Sequence, residues 1–266
     1  MPVTLVTAFA HPDDETFSVG GSVARAVAAG ARVTAICATR GEVGEIADPS
    51  LATPETLGEV REAELRAACA ELGVTDVRFL GHRDSGMEGT PENQDPRALA
   101  QADDDAVAAE LVALFTELRA DVVVTFEPGG VYGHPDHRKI SRCATLAFDR
   151  AAHDGWAPAR LLYAGVARSR FAELRRMAKE AGLPENPLFE QVKDFGMPDE
   201  DLTTTIDVTP WVQQKRRALA RHRTQINPWL AALPEPMLLR LLGGESFAQV
   251  RGAITDASRA DLIADL

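Results

Sequence analysis

Apolar runs and amphipathic segments alternate along the first two thirds of the chain. Short apolar runs predict buried strands at residues 3–9, 32–38, 77–80, 121–126 and 161–166. Apolar positions at helical spacing predict helices at residues 16–29, 54–72, 103–119 and 169–181, and another that ends at about residue 152. This alternation predicts an α/β protein with a mainly parallel sheet and helices on both faces.

Beyond residue 184 the pattern loosens. It predicts an added strand at 203–208, a helix at 211–224 and a short helix at 236–242. Residues 81–100 are rich in Gly, Pro, Asp and Asn, which predicts a long functional or mobile loop. We expect a single domain over residues 1–266, with a core at about 1–183 and a C-terminal elaboration at about 184–266.

Polar chemistry is concentrated at two strand ends. The sequence His11-Pro12-Asp13-Asp14-Glu15 follows the first strand, and Tyr132-Gly133-His134-Pro135-Asp136-His137 follows the fourth. In a doubly wound, Rossmann-like sheet, ligands bind outside the carboxyl ends of the strands where the strand order reverses. In the commonest strand order that point lies between strands one and four, so we expect the two motifs to share one crevice.

The first motif favours a metal site. Three carboxylates within three positions would repel one another, and would be costly to bury without a cation. His11 and Asp14 offer a nitrogen and an oxygen ligand for zinc or a similar divalent ion, which leaves Asp13 free to act on metal-bound water. The alternative is a strand-end turn in which an aspartate caps the helix. Spacing alone does not choose between His134 and His137 as a further ligand.

Composition narrows the classes of partner. The chain has 266 residues, is 45% hydrophobic and carries a formal net charge of -12, which argues against a general nucleic-acid binder. Small molecules are the expected partners. The sequence has no apolar run long enough for a membrane span and no basic signal-peptide start, so we expect a cytoplasmic protein. The three cysteines, Cys37, Cys69 and Cys143, lie far apart among apolar neighbours, which predicts buried free thiols.

The two motifs resemble the paired signatures of the PIG-L/LmbE-like zinc-dependent N-acetylglucosaminyl deacetylases. The resemblance is good over residues 3–168 and weaker afterwards, where residues 215–225 are similar to a family helix that usually has Ser in place of Thr224. It implies a hydrolase that removes acetate from an N-acetylglucosamine-type conjugate, with a role in mycothiol or bacillithiol metabolism as one option. The implied cofactor is Zn²⁺, with another divalent metal such as Fe²⁺ as the alternative.

The resemblance also implies roles for individual residues. The metal ligands would be His11, Asp14 and His137, and Asp13 would be the general base. His134, oriented by Asp136, would stabilise the oxyanion or protonate the leaving amine, and Tyr132 would donate to the same oxygen. Arg61 and Asp84 match positions that contact the sugar hydroxyls, although a solvated helix charge and a turn former are their ordinary interpretations. Glu15 is expected to cap the first helix or orient the turn.

Several alternatives stay open. A related amidase could cleave a thiol conjugate, and a non-catalytic metal- or carbohydrate-binding module could keep the pocket without turnover. A homo-oligomer is compatible with the sequence. Outside the two motifs, His82, His153 and His222 lack partners at ligand spacing. A basic cluster could meet an anionic substrate, although most charge runs are solvated helix faces; it comprises Lys215, Arg216, Arg217, Arg221 and Arg223.

Overall fold

The computed structural model describes residues 1–152, 156–183, 195–226 and 233–266. Seven strands in these residues form one sheet. They are β1 (Thr4–Phe9), β2 (Arg32–Thr39), β3 (Asp76–His82), β4 (Val122–Phe126), β5 (Arg160–Gly165), β6 (Thr204–Asp207) and β7 (Gly244–Arg251). The described α-helices are α1 (Asp14–Ala28), α2 (Leu57–Glu71), α3 (Asp104–Leu118), α4 (Pro135–Arg150), α5 (Arg168–Glu180), α6 (Val212–Leu219) and α7 (Glu235–Leu242).

The sheet has the strand order β3-β2-β1-β4-β5-β7-β6. The first five strands are parallel, β7 is antiparallel to β5, and β6 is antiparallel to β7. The predicted Rossmann-like, mainly parallel α/β fold is therefore confirmed. Strand order reverses between β1 and β4, which are direct neighbours, so the carboxyl ends of these two strands flank the expected crevice.

The helices cover both faces of the sheet. The chain passes from β1 to β2 toward one edge of the sheet and from β4 to β5 toward the other edge. Because crossovers between parallel strands are right-handed, this places α1 and α4 on opposite faces. Helix α6 packs on both α1 and α2, while α3 packs on α4. The apolar side chains of β1 and β4 are fully buried between these layers, as their continuous hydrophobic runs predict. The three cysteines are free and buried, which confirms that prediction.

Strand β7 was missed by the hydrophobic pattern. Its sequence interrupts the apolar positions with Glu245, Ser246 and Gln249, all of which are buried. Glu245 is tolerated there because Lys215 on α6 lies 2.6 Å from its carboxylate. The same carboxylate accepts the backbone N–H groups of Gly21 and Ser22, at 2.9 and 2.8 Å. Tertiary partners therefore convert a polar segment into an interior strand.

The remaining C-terminal differences are small. The predicted helix at 211–224 is shorter, because α6 is flanked by single 3₁₀ turns at Thr209–Trp211 and Arg223–Gln225. Both β6 and β7 continue the same sheet as the N-terminal strands, and the division at about residue 183 stays a prediction. Among the described residues, no helix is both long and apolar enough to cross a membrane.

Candidate metal centre

The ends of β1 and β4 bring the two polar motifs together. The ring of His11, which follows β1, lies 4.6 Å from the ring of His134 and 5.1 Å from that of His137, measured between centroids. All three histidines are buried. Local structure fixes the second motif: His134 caps α4 by accepting the N–H of Asp136 on its Nδ1 at 3.2 Å, and Pro135 occupies the first turn.

The three predicted ligands lie at distances typical of the ligands of one metal ion. His11 Nδ1 lies 3.2 Å from His137 Nε2 and 3.5 Å from an oxygen of Asp14, and His137 Nε2 lies 3.4 Å from the other Asp14 oxygen. Ligand bonds of about 2.0–2.1 Å in a tetrahedral arrangement place ligand atoms about 3.3–3.4 Å apart. These pairwise distances favour a divalent cation between the two rings and the Asp14 carboxylate, each of whose oxygens lies near one of the rings.

Two further groups of candidate donors include His11. His11, His134 and His137 have ligand atoms within 4.8 Å of one another, and so do His11, Asp84 and Asp136. The site can therefore hold a metal ion through His11, whereas the choice of the remaining ligands is a matter for proposal.

The carboxylates around His11 favour positive charge, either on its ring or on a cation bound beside it. Burial alone lowers the pKa of this histidine, but Asp84, Asp136 and Asp14 together raise it well above its ordinary value. In contrast, burial lowers the pKa of His137 to about 3, so its ring is neutral and can offer a lone pair. The ring of His137 stacks on Phe126, and its buried Nδ1 has no hydrogen-bond partner among the described residues.

Asp13 occupies a strained position beside this cluster. Its φ of 129° is uncommon for a residue with a side chain, and its carboxylate caps none of the described N–H groups of α1. That carboxylate lies 3.3 Å from Arg61 Nη2, and 31% of the side chain is exposed. Burial raises the pKa of Asp13 to about 7, against the opposing effect of Arg61. A carboxylate with such a pKa is suited to accept a proton near neutral pH.

Arg61 reaches this turn from α2. Its guanidinium donates to the carbonyls of Gly41 and Pro12, both at 2.9 Å, as well as contacting Asp13. A Cβ at Gly41, whose φ is 65°, would overlap the guanidinium, so glycine permits the close approach. Arg61 is buried with both terminal nitrogens on protein oxygens, and its predicted contact with a sugar stays a prediction.

Asp84 and Asp136 both lie near Nε2 of the His11 ring, whereas Asp14 and His137 lie near its Nδ1. Asp84 lies 3.4 Å from His11 Nε2, in the predicted long loop after β3, which therefore borders the crevice. The carboxylate of Asp136 lies 3.2 Å from the same nitrogen and accepts the N–H of Ser85 at 2.9 Å. Asp136 contacts His134 through its backbone N–H, whereas the predicted orientation by its carboxylate is untested. Ser85 was missed, although its place directly after Asp84 at a strand end was a usable signal.

Tyr132 and His134 complete the crevice. The Tyr132 ring lies 5.1 Å from His137 and 5.9 Å from His134, measured between centroids. Burial raises the pKa of Tyr132 above its ordinary value, so the phenol keeps its proton and can donate. Burial also lowers the pKa of His134 to about 4. This ring is neutral near pH 7, and a cationic role would require negative charge beside it.

Comparisons with known proteins decide the family. Residues 6–148, more than half of the chain, match the family model described as PIG-L, GlcNAc-PI de-N-acetylase. The chain belongs to the PIG-L family. The resemblance inferred from the two motifs is therefore confirmed, and the matched residues include both of them.

Two PIG-L relatives span almost the whole chain. A protein of Acidothermus cellulolyticus is 42% identical, covering 94% of this chain and 89% of its own length. One of Salinispora arenicola is 39% identical, covering 94% and 85%. Both are named 1D-myo-inositol 2-acetamido-2-deoxy-alpha-D-glucopyranoside deacetylase. The structure of N,N'-diacetylchitobiose deacetylase from Pyrococcus horikoshii is similar, with a TM-score of 0.63 and 18% identity over 95% of this chain and 86% of that one. That likeness shows the fold alone.

The other candidate histidines lie outside the two motifs in the sequence. His82 pairs with Glu110 at 3.1 Å near the surface. His153 lies outside the described residues. His222 is buried, with its Nε2 3.3 Å from Thr16 Oγ1, behind the first motif.

The basic cluster after β6 is largely neutralised within the protein. Lys215 pairs with Glu245, while Arg217 and Arg221 both pair with Glu71. Arg216 pairs with Glu235. These ion pairs favour a structural role over contact with an anionic substrate.

Proposed function

We propose that this chain is a metal-dependent deacetylase that removes acetate from an N-acetylglucosamine conjugate of myo-inositol. The names of relatives at about 40% identity support the substrate class. The observation that carries the chemistry is the 3.2–3.5 Å spacing of the His11, Asp14 and His137 ligand atoms. This substrate agrees with a role in low-molecular-weight thiol metabolism, which the family resemblance implied.

The proposed metal ligands are His11, Asp14 and His137, and zinc is the proposed ion, with Fe²⁺ as the alternative. When bound there, the ion would supply Lewis-acid activation of water and of the amide carbonyl. Asp14 is suited to this role because His137 and His11 lower its pKa below the ordinary value, although burial alone would raise it. The carboxylate is therefore ionised throughout the neutral range.

The side chains of Asp13, Tyr132 and His134 have different proposed roles in the reaction. Asp13 accepts a proton from the attacking water as the new C–O bond forms at the amide carbon. Tyr132 and His134 face the developing negative charge on the carbonyl oxygen and stabilise it. The C–N bond breaks when the leaving nitrogen takes up the proton that Asp13 accepted, which yields acetate and a free amine. The predicted proton donation by His134 would require a cationic ring, whereas burial keeps this ring neutral near pH 7. Asp136 and Ser85 hold the far side of His11 in place.

Acceptance of hydrogen bonds from sugar hydroxyls by Asp84 stays a prediction. Its carboxylate lies 3.4 Å from His11 Nε2, but it is buried and accepts the N–H groups of Gly86 and Val43. Arg61 is proposed to hold the Asp13 turn, with contact to the sugar as its predicted second role. The division of the domain, a cytoplasmic location and a homo-oligomeric state remain predictions.

The test combines metal analysis with product release. Purified protein is expected to hold about one divalent ion per chain and to release acetate from N-acetylglucosaminyl-inositol. A chelator should abolish this activity, and added zinc or Fe²⁺ should restore it. Metal binding without acetate release would favour the non-catalytic module. Release from a thiol conjugate alone would favour the related amidase.

A further inference from the structure

The carboxyl group of Glu15 lies buried directly behind the candidate general base. Glu15 follows the two aspartates in sequence, but its side chain turns into the interior and is 4% exposed as a residue. Its Oε2 accepts the backbone N–H of Asp13 at 3.3 Å. The contact therefore holds the backbone of Asp13 and does not involve the Asp13 carboxylate, which contacts Arg61.

This contact matters because the Asp13 backbone is strained. A φ of 129° with ψ of -28° lies outside the regions that residues with a Cβ ordinarily adopt. Such conformations cost about 1–3 kcal/mol and persist only when surrounding groups hold them. Asp13 stands at the N-cap of α1, where an aspartate ordinarily turns its carboxylate onto the helix N–H groups. Relaxation to that arrangement would withdraw the carboxylate from the crevice.

Residues from distant parts of the chain fix Glu15 in turn. Thr16 Oγ1 donates to Glu15 Oε1. The same hydroxyl lies 3.3 Å from Nε2 of His222, a nitrogen that is itself 3.9 Å from Glu15 Oε1. His222 is buried just beyond α6, which packs over α1. The C-terminal part of the chain thus supports the turn that carries the general base.

We propose that Glu15 is a positioning residue for the deacetylation: it holds the Asp13 N–H so that the Asp13 carboxylate faces the crevice, and Thr16 and His222 hold Glu15. The inference rests on the proposed function for its kinetic consequence. Its structural consequence, a held Asp13 amide, is independent of any substrate.

The experiment compares Glu15→Gln with Glu15→Leu in the metal-loaded protein. Glutamine keeps an oxygen that can accept the Asp13 N–H, so kcat should stay within about 3-fold of wild type. Leucine fills similar space without an acceptor, so kcat should fall by about 10²-fold, the cost of a misplaced catalytic group. KM and metal content should be unchanged in both. Equal kcat in the two variants, or loss of metal in Glu15→Leu, would overturn the proposal.

A double-mutant cycle tests whether Glu15 acts through Asp13. In an Asp13→Asn background, Glu15→Leu should change the residual kcat by less than about 3-fold, because a misplaced base has no further effect once the base is absent. A full additional loss would show that Glu15 acts elsewhere, and would overturn the proposal. Thr16→Val is the milder variant should Glu15→Leu not fold; it should lower kcat several-fold, and an unchanged kcat would contradict the supporting role.

Amide hydrogen exchange separates this inference from the proposed function. Exchange at the Asp13 amide should be slow in wild type and in Glu15→Gln, and faster in Glu15→Leu. A protein that releases no acetate but shows this difference would refute the proposed function and support the held turn. Identical exchange in all three proteins would overturn the positioning role, whatever the activity.

Discussion

The substitution Asp13→Asn should lower kcat and, in the metal-free protein, raise the free energy of unfolding. Asparagine keeps the size of the side chain but removes the proton acceptor, and loss of a general base costs about 10²- to 10⁴-fold in kcat. The proposed metal ligands are untouched, so the bound metal should remain. The acidic limb of the rate profile that belongs to Asp13, whose pKa burial raises to about 7 in the metal-free protein, should disappear.

The same substitution should stabilise the metal-free fold at alkaline pH. The carboxyl has a pKa of about 7 in the folded protein and about 4 when unfolded, so ionisation disfavours folding as pH rises from about 4 to 7. At about 1.36 kcal/mol per unit, the full cost above pH 7 would be about 4 kcal/mol. Because 31% of the side chain is exposed, solvent screening reduces our expected gain in Asp13→Asn to about 1–2 kcal/mol.

Three measurements with a matched control test this reasoning. Urea unfolding of metal-free protein at pH 4 and pH 8 should show the gain in stability only at pH 8. Acetate release and metal content should then show low kcat with full metal occupancy. The control, Asp14→Asn, removes a charge one residue away, between His11 and His137, and should lose both metal and activity. Near wild-type turnover by metal-loaded Asp13→Asn would refute the general-base role.

Three further outcomes are expected. Arg61→Met should lower kcat more than it raises KM. It should also move the acidic limb of kcat/KM to higher pH, because Arg61 lowers the pKa of Asp13. A change in KM alone would favour the sugar contact. Asp84→Ala should lower kcat/KM on the glucosaminyl substrate more than it lowers stability, and an unchanged kcat/KM would count against sugar binding. Lys215→Met should cost about 3–5 kcal/mol in urea unfolding by leaving the Glu245 charge buried and unpaired, whereas the double variant with Glu245→Gln should recover part of this loss.

The local pattern of apolar residues was enough to predict the parallel strands and the helices between them. Fully buried strands such as β1 and β4 are continuous apolar runs, and the helices between them repeat at helical spacing, so short windows of sequence suffice. Placement of both motifs at strand ends then implied a shared crevice, which the adjacency of β1 and β4 brings about. Strand β7 escaped prediction because its buried Glu245 is compensated by Lys215, a residue thirty positions away in the chain.

By itself, the sequence determined the family, the mainly parallel fold and the residue types at the site. Only the tertiary structure decided which polar groups meet there. It placed Asp136 beside His11, 125 residues away, and His222 beside Thr16, 206 residues away. It also revealed the strained backbone of Asp13 and the carboxyl group of Glu15 that holds it. The physical reason is that hydrophobic periodicity can be recognised within a short stretch of sequence, whereas the partner of a buried charge depends on packing between distant segments.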